Sequence, residues 1–155
     1  IGWAVSPDDA YQMLRGLRTL ATRMARHDQS ARHVARWLTE RPEVAQMRHP
    51  ALPGCPGHDI WRRDYSGACG LFAFTLQPAP PTATAAFLDG LKVFGLGFSW
   101  GGFESLAIDC DPQLRCRADG DREGGALIRL HIGLEDPADL IADLTAALDA
   151  WRSLA

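Results

Sequence analysis

Two similar helix-start signatures lie near the two ends of the chain and limit the folds it can adopt. Ser6-Pro7-Asp8-Asp9 and Asp136-Pro137-Ala138-Asp139 each combine a capping side chain, a proline in the first turn and an acidic residue. Apolar residues recur at helical spacing after the first signature until about Pro42, which predicts one long broken helix or two helices in sequence. After the second signature, a buried stripe is predicted at Leu140, Ile141, Leu144, Leu148 and Trp151.

Short strand patterns lie between these helices. Strands are predicted at 44–47, at 70–76 and from Gly95 into a glycine-rich loop, with a fourth at 127–133. In that fourth strand Ile128, Leu130 and Ile132 share one face. Thr82 is predicted to cap a further helix that carries Phe87 and Phe94, whereas His49–Asp59 is too rich in proline and glycine for regular structure.

The order of the elements predicts the fold class. Helix, strand, strand, helix, strand, strand, helix contains no repeated βαβ unit. We therefore expect an α+β fold, with a small, mainly antiparallel β-sheet covered on one face by helices and preceded by a long N-terminal helical segment. The polar stretch from Asp109 to Gly125 is expected to be a mobile connection.

Composition argues against several classes of protein. The 155 residues suit one domain, and no apolar run approaches the ~20 residues of a membrane span. A net charge of −3 argues against a nucleic-acid partner, so the arginines of the first third are interpreted as a solvated or interdomain helix face. Cys55, Cys69, Cys110 and Cys116 lack paired spacing and are interpreted as ordinary thiols of a cytoplasmic protein, with no metal site. Because the chain begins at Ile1 in place of Met, we expect it to be part of a longer protein.

Arg129 is the most informative single side chain. It lies on a strand otherwise flanked by apolar residues, so its guanidinium needs a polar partner. A structural salt bridge and the carboxylate of a ligand both satisfy that need, because a guanidinium binds a carboxylate through two parallel hydrogen bonds. Sequence spacing leaves the choice between them open.

Several separated motifs resemble the Cys/Met-metabolism family of enzymes that depend on pyridoxal phosphate (PLP). They follow the order and approximate spacing of that family over nearly the whole chain. The segments that carry the resemblance are 15–20, 44–53, 56–58, 67–72, 98–106 and 127–136, which read RGLRTL, VAQMRHPALP, PGH, GACGLF, FSWGGFESL and LIRLHIGLED.

The resemblance implies a role for the residues that match the family's substrate site. The arginine matching Arg129 binds the α-carboxylate of an amino-acid substrate, and the residue matching Ser99 lies beside that carboxylate. Gly101 and Gly102 would let the loop backbone approach a ligand, and a tight turn is the alternative explanation for them. His131 is given no catalytic role. Glu135 and Asp136 are interpreted as helix-capping residues, and Glu104 is a weaker candidate for orienting the loop.

Phe98 and Trp100 favour one branch of the family. The γ-lyases and γ-synthases usually carry Glu and Leu at these two positions, whereas β-lyases carry an aromatic residue and Trp. The resemblance therefore implies β-elimination, with L-cystathionine cleaved to homocysteine, pyruvate and ammonia. A γ-lyase or γ-synthase of the same family remains an alternative, and for Trp100 so does a role in core packing.

The chain lacks the group that would hold the cofactor. Its only lysine is Lys92, in a context that predicts a solvated helix residue and does not match the motif around the family's Schiff-base lysine. We therefore interpret residues 1–155 as the C-terminal small domain of a fold type I enzyme, inactive alone, with PLP held by an N-terminal domain. The resemblance also implies a homotetramer as its assembly. A non-catalytic amino-acid-binding or dimerisation module is the alternative from another class.

Overall fold

The computed structural model describes residue 2, residues 4–114 and residues 124–155. The helices within those residues are α1 (Pro7–Arg18), α2 (Leu20–Thr39), α3 (His58–Asp64), α4 (Pro81–Gly90) and α5 (Pro137–Arg152), with a short 3-10 turn at Asp111–Gln113. The strands are β1 (Val44–Arg48), β2 (Leu71–Leu76), β3 (Gly95–Leu96), β4 (Leu106–Asp109) and β5 (Leu127–His131). None of these helices is both long and apolar enough to cross a membrane.

The strands form one mixed sheet in the order β1-β2-β5-β4-β3. Only the pairing of β3 with β4 is parallel, and the other three pairings are antiparallel. The predicted α+β fold with a mainly antiparallel sheet is therefore confirmed. Strand β4 was not predicted, because Leu106, Ala107 and Ile108 are all buried and the strand shows no alternation of apolar and polar residues.

Helices cover one face of this sheet and form the core with it. Ile128, Leu130 and Ile132 are fully buried, as the alternation in β5 predicted. Side chains of β2 complete the sheet side of the core, and those of α2, α4 and α5 pack over them. The predicted stripe on α5 is confirmed, since four of its members are buried and Ile141 packs partly buried against the core.

Both helix-start signatures are confirmed by their hydrogen bonds. The Ser6 side chain accepts from the Asp9 backbone N–H at 3.1 Å, and Asp136 accepts from the Ala138 N–H at 2.9 Å. The start of α4 was placed two residues late, because the helix begins at Pro81, with Pro80 at the cap position, and not after a Thr82 cap. The fixed φ of proline suits the first helical position, where no N–H is needed.

The end of α4 also differs from the prediction. The helix stops at Gly90, so neither Lys92 nor Phe94 belongs to it. Phe94 is nevertheless buried in the core, and its N–H is the last of three consecutive backbone N–H groups, starting at Lys92, that donate to Asp143 on α5. Lys92 is exposed as predicted, but it lies in a bend.

The N-terminal helical segment consists of two helices that are separated at Thr19. The whole of α1 contains no buried residue, although its apolar side chains recur at helical spacing. Met13 and Leu17 are 64% and 62% exposed. An isolated helix of this length is marginal in water, so this apolar surface needs a partner that the described residues do not supply.

A further helix, α3, lies where mostly irregular chain was expected. It begins at His58, near the end of the proline- and glycine-rich segment, and continues to Asp64. Gly57, in the left-handed region with φ 81°, turns the chain into the helix. Most of the connection expected between Asp109 and Gly125 lies outside the described residues, as does Cys116; Cys55, Cys69 and Cys110 are free thiols.

Candidate functional site

Arg129 lies on the face of the sheet opposite the helices. On β5 it pairs with Ala73 of β2 on one side and with Ile108 of β4 on the other. Its Nη2 donates to the carbonyl oxygen of Phe98 at 2.8 Å. Longer contacts of 3.4 and 3.3 Å reach the carbonyls of Gly97 and Ser99. The structure therefore brings Arg129 next to the loop that carries the other predicted site residues.

The positive charge of Arg129 is not neutralised within the described part of the chain. No described carboxylate forms an ion pair with it, so the structural salt bridge left open by the sequence is not formed there. Its Nε is buried without a hydrogen-bond partner. A buried, unpaired charged donor is costly, and a bound carboxylate would satisfy it.

The glycine-rich loop, residues 97–104, presents its aromatic side chains to solvent. Phe98, Trp100 and Phe103 are 71%, 63% and 73% exposed, and Ser99 is exposed as well. The alternative in which Trp100 fills the core is therefore wrong for this chain. Three large aromatic side chains exposed within one short loop indicate a contact surface.

Gly101 and Gly102, the two adjacent glycines of the loop, differ in what they require. Gly101 has a φ of +83°, a conformation that favours glycine. At Gly102 an added Cβ would meet nothing within 4 Å, so the chain itself leaves open space there. The turn at Gly101 accounts for one glycine, and the space beside Gly102 remains available to a ligand.

His131 is buried and contacts this turn. Its Nε2 lies 3.1 Å from the Gly102 carbonyl oxygen, and the Gly101 nitrogen lies 3.4 Å from Nδ1 and 3.2 Å from Nε2. Burial lowers the pKa of His131, which favours the neutral ring. His131 was given no catalytic role from the sequence, where nothing links it to a loop 29 residues away.

The end of the loop is fixed by Glu135. Its carboxylate accepts from the Ser105 backbone N–H at 2.8 Å and from the Ser105 hydroxyl at 2.7 Å. The same hydroxyl accepts from the Gly133 N–H at 2.8 Å. The capping role predicted for Asp136 is confirmed, but that predicted for Glu135 is wrong. Glu135 orients the loop, which is the role considered for Glu104, and Glu104 is exposed.

The described residues do not form a cofactor or metal site. They contain no cluster of His, Cys, Asp and Glu side chains suited to a metal ion. Lys92, the only lysine of the sequence, is exposed. Its backbone N–H donates to Asp143, and within the described residues Lys92 has no hydrogen bond to the loop or to Arg129. These residues suit the binding of a carboxylate but do not fit the attachment of PLP.

A cavity of about 830 Å³ lies between α2 and α3, separate from these residues. Its lining is mainly apolar and includes Met24, Ile60 and Trp61. None of the predicted site residues contributes to it. No local sequence pattern predicts this cavity, because its walls come from four separate segments.

Comparisons of fold and sequence place the chain in a class of enzymes that depend on PLP. Residues 1–149 match the sequence model described as Cys/Met metabolism PLP-dependent enzyme. The chain belongs to this family, and the family's cofactor is pyridoxal phosphate.

Individual relatives carry the names of particular reactions. The cystathionine beta-lyase of Bordetella avium is 51% identical over 150 residues, which are 96% of this chain and 38% of that protein. Cystathionine beta-lyase MetC of Escherichia coli K12 is 47% identical over 150 residues, 94% of this chain and 38% of that protein. The chain thus spans less than two fifths of the length of these relatives.

A solved structure shows the same fold. It is a cystathionine gamma synthase from Xanthomonas oryzae pv. oryzae in complex with aminoacrylate and cysteine, with a TM-score of 0.85 and 35% identity. The match covers 99% of this chain and 41% of that structure. Relatives named as a beta-lyase and as a gamma synthase thus both match nearly the whole of this chain.

Proposed function

We propose that residues 1–155 are the C-terminal, substrate-carboxylate-binding domain of a PLP-dependent carbon–sulfur β-lyase that cleaves L-cystathionine to homocysteine, pyruvate and ammonia. The observation that carries the proposal is the state of Arg129. Its guanidinium is held by loop carbonyls, keeps a buried unpaired donor at Nε and has no described acidic partner. It contacts the backbone carbonyls of Phe98 and Ser99, whose side chains are exposed.

Each residue of the site has a part in binding the substrate. Arg129 binds the α-carboxylate and fixes its orientation, since two charge-assisted hydrogen bonds restrict rotation as well as distance. Ser99 lies next to that carboxylate as a neutral hydrogen-bonding group. Phe98 and Trp100 form an apolar wall that excludes water from the part of the substrate that contains sulfur.

The remaining chemistry is assigned to polypeptide outside this chain. PLP supplies an electron sink for the charge that develops at Cα, and its lysine would come from an N-terminal domain. The exposed aromatic rings of the loop and the exposed apolar face of α1 support contacts with that domain and with other subunits of a homo-oligomer. Residues 1–155 alone are expected to be inactive and to show no stoichiometric cofactor absorbance band.

Products of the longer protein test the choice of reaction. With L-cystathionine as substrate, β-elimination gives pyruvate and γ-elimination gives 2-oxobutyrate, and chromatography of the 2-oxo acids separates the two. We expect pyruvate, because Phe98 removes the carboxylate that γ-enzymes usually carry there. A predominance of 2-oxobutyrate would replace the β-lyase assignment with the γ-lyase alternative, which the shared fold of the γ-synthase supports.

The non-catalytic alternative has a separate test. If the longer protein lacked a cofactor lysine and bound amino acids without turning them over, the domain would be a binding or dimerisation module. The sequence on the N-terminal side of Ile1, together with a cofactor absorbance spectrum of the purified longer protein, distinguishes this outcome from catalysis.

A further inference from the structure

The loop of residues 97–104 is held mainly by polar contacts from β5 and the residues after it. Arg129 and His131 lie two residues apart on the same face of that strand. The first contacts the carbonyls at the start of the loop, and the second contacts the backbone of its glycine turn. Glu135 fixes the chain where the loop joins β4.

The imidazole of His131 has the hydrogen-bonding groups that the glycine turn needs. The turn offers one donor, the Gly101 N–H, and one acceptor, the Gly102 carbonyl. A neutral imidazole has one nitrogen of each kind. With the proton on Nε2, the ring donates to the Gly102 carbonyl. The Gly101 nitrogen lies 3.2 Å from Nε2 and 3.4 Å from Nδ1, and in this tautomer Nδ1 is the ring nitrogen that can accept from it.

Packing does not fix the turn, so these polar contacts matter more. An added Cβ at Gly101 or Gly102 would find no atom within 4 Å, and both residues are exposed. The ring of His131, by contrast, is held on its other side. The His27 ring of α2 lies 5.4 Å away, and a Cβ at Gly70 would come within 3.0 Å of the imidazole. The position of the His131 ring is therefore fixed by packing, and its hydrogen bonds position the backbone of the loop.

We propose that His131 is a positioning residue whose neutral imidazole sets the backbone of Gly101–Gly102, and thereby places Ser99 and Trp100 next to the free donor of Arg129. This inference rests on the proposed carboxylate-binding function. It adds a residue to the site that touches neither the substrate nor the cofactor.

Two substitutions in the longer holoenzyme test the hydrogen bonds directly. His131→Leu removes the donor and the acceptor, whereas His131→Gln keeps an amide donor and a carbonyl acceptor. We expect His131→Leu to raise KM for L-cystathionine roughly tenfold, with kcat within about threefold and the cofactor absorbance unchanged. His131→Gln should recover most of that loss. An unchanged KM in His131→Leu, or an equal rise in both variants, would overturn the proposal.

The wild-type enzyme provides a second measurement that does not depend on a variant folding. The charged or titratable groups that bear on the ring are His27 from α2, Arg129 on the same strand and Glu135 after it. Protonation of His131 removes the acceptor for Gly101. KM should therefore rise as the pH falls through the lowered pKa of His131, and this rise should be absent from His131→Gln. An identical pH dependence of KM in both proteins would also overturn the proposal.

Arg129→Ala separates this inference from the proposed function. If Arg129→Ala raises KM and the His131 variants do not, carboxylate binding stands and the positioning role fails. If Arg129→Ala leaves KM unchanged, the proposed function of the site itself fails.

Discussion

Asp143 connects α5 to the segment that leads into β3 and then to the loop of the proposed site. Its Oδ1 accepts from the Lys92 N–H at 2.8 Å, and its Oδ2 accepts from the N–H groups of Val93 and Phe94 at 2.8 and 3.0 Å. Both Asp143 and Phe94 are buried. Asp143→Asn keeps the shape of the side chain but removes its charge and one acceptor oxygen.

The expected loss follows from these contacts. A hydrogen bond to a charged group contributes roughly 1.5–3 kcal/mol, and a neutral one about 1 kcal/mol. The asparagine oxygen can serve only one side of the original carboxylate, so at least one N–H loses its acceptor and the remaining bonds become neutral. We therefore expect the free energy of unfolding to fall by about 2–4 kcal/mol.

Urea unfolding of residues 1–155, followed by far-ultraviolet circular dichroism, measures this loss. Asp89→Asn is the matched control, because Asp89 is an exposed residue of α4. The control should change the free energy of unfolding by less than about 0.5 kcal/mol. If Asp143→Asn costs no more than the control, the carboxylate does not hold the segment before β3, and the reasoning is refuted.

Three further predictions concern other parts of the fold. Burial, with a smaller contribution from Arg32, lowers the pKa of His49 from 6.5 to about 4. Because the unfolded chain binds more protons between those values, the free energy of unfolding should fall by on the order of 3 kcal/mol as the pH drops from above 6.5 to 4. The fall should be smaller in His49→Gln, and an equal fall in urea titrations of both proteins would contradict this. Gly133→Ala should lower the free energy of unfolding by at least about 1–3 kcal/mol, because its Cβ would collide with the Phe103 carbonyl. Gly102→Ala is the control, because an added Cβ there has open space. Equal midpoints in thermal unfolding of the two variants would contradict this. Leu144→Ala should cost about 2–5 kcal/mol and Leu17→Ala less than about 0.5 kcal/mol in this chain, since only Leu144 is buried; comparable losses in urea would show that α1 packs against the rest of the chain.

Local signals were sufficient for much of the fold. The caps at Ser6 and Asp136 and the alternation in β5 depend on residues within one or two turns, and the structure confirms them. By contrast, β4 and the end of α4 depend on contacts with distant residues. Asp143 lies about 50 residues from the N–H groups it binds, and no local pattern reports such a contact.

The candidate site shows the same division. The arginine on an apolar strand and the glycine-rich loop are visible in the sequence, and the structure brings them into hydrogen-bonding distance. His131 and Glu135 were assigned minor or different roles, because their partners lie about 30 residues earlier in the chain. Charge on a strand identifies a residue that needs a partner, whereas only the folded backbone identifies that partner.

The affinity of the longer holoenzyme for its amino-acid substrate, measured in the variant Arg129→Lys, tests the central claim most directly. Lysine keeps the positive charge but cannot bind a carboxylate in the bidentate geometry of arginine. Binding of L-cystathionine is followed through the absorbance of the cofactor, and the band of the free enzyme reports whether the cofactor is still in place. We predict an unchanged cofactor band and an affinity at least about tenfold weaker than that of the wild type. Wild-type affinity in Arg129→Lys, with the cofactor in place, would contradict the assignment of Arg129 as the carboxylate-binding residue.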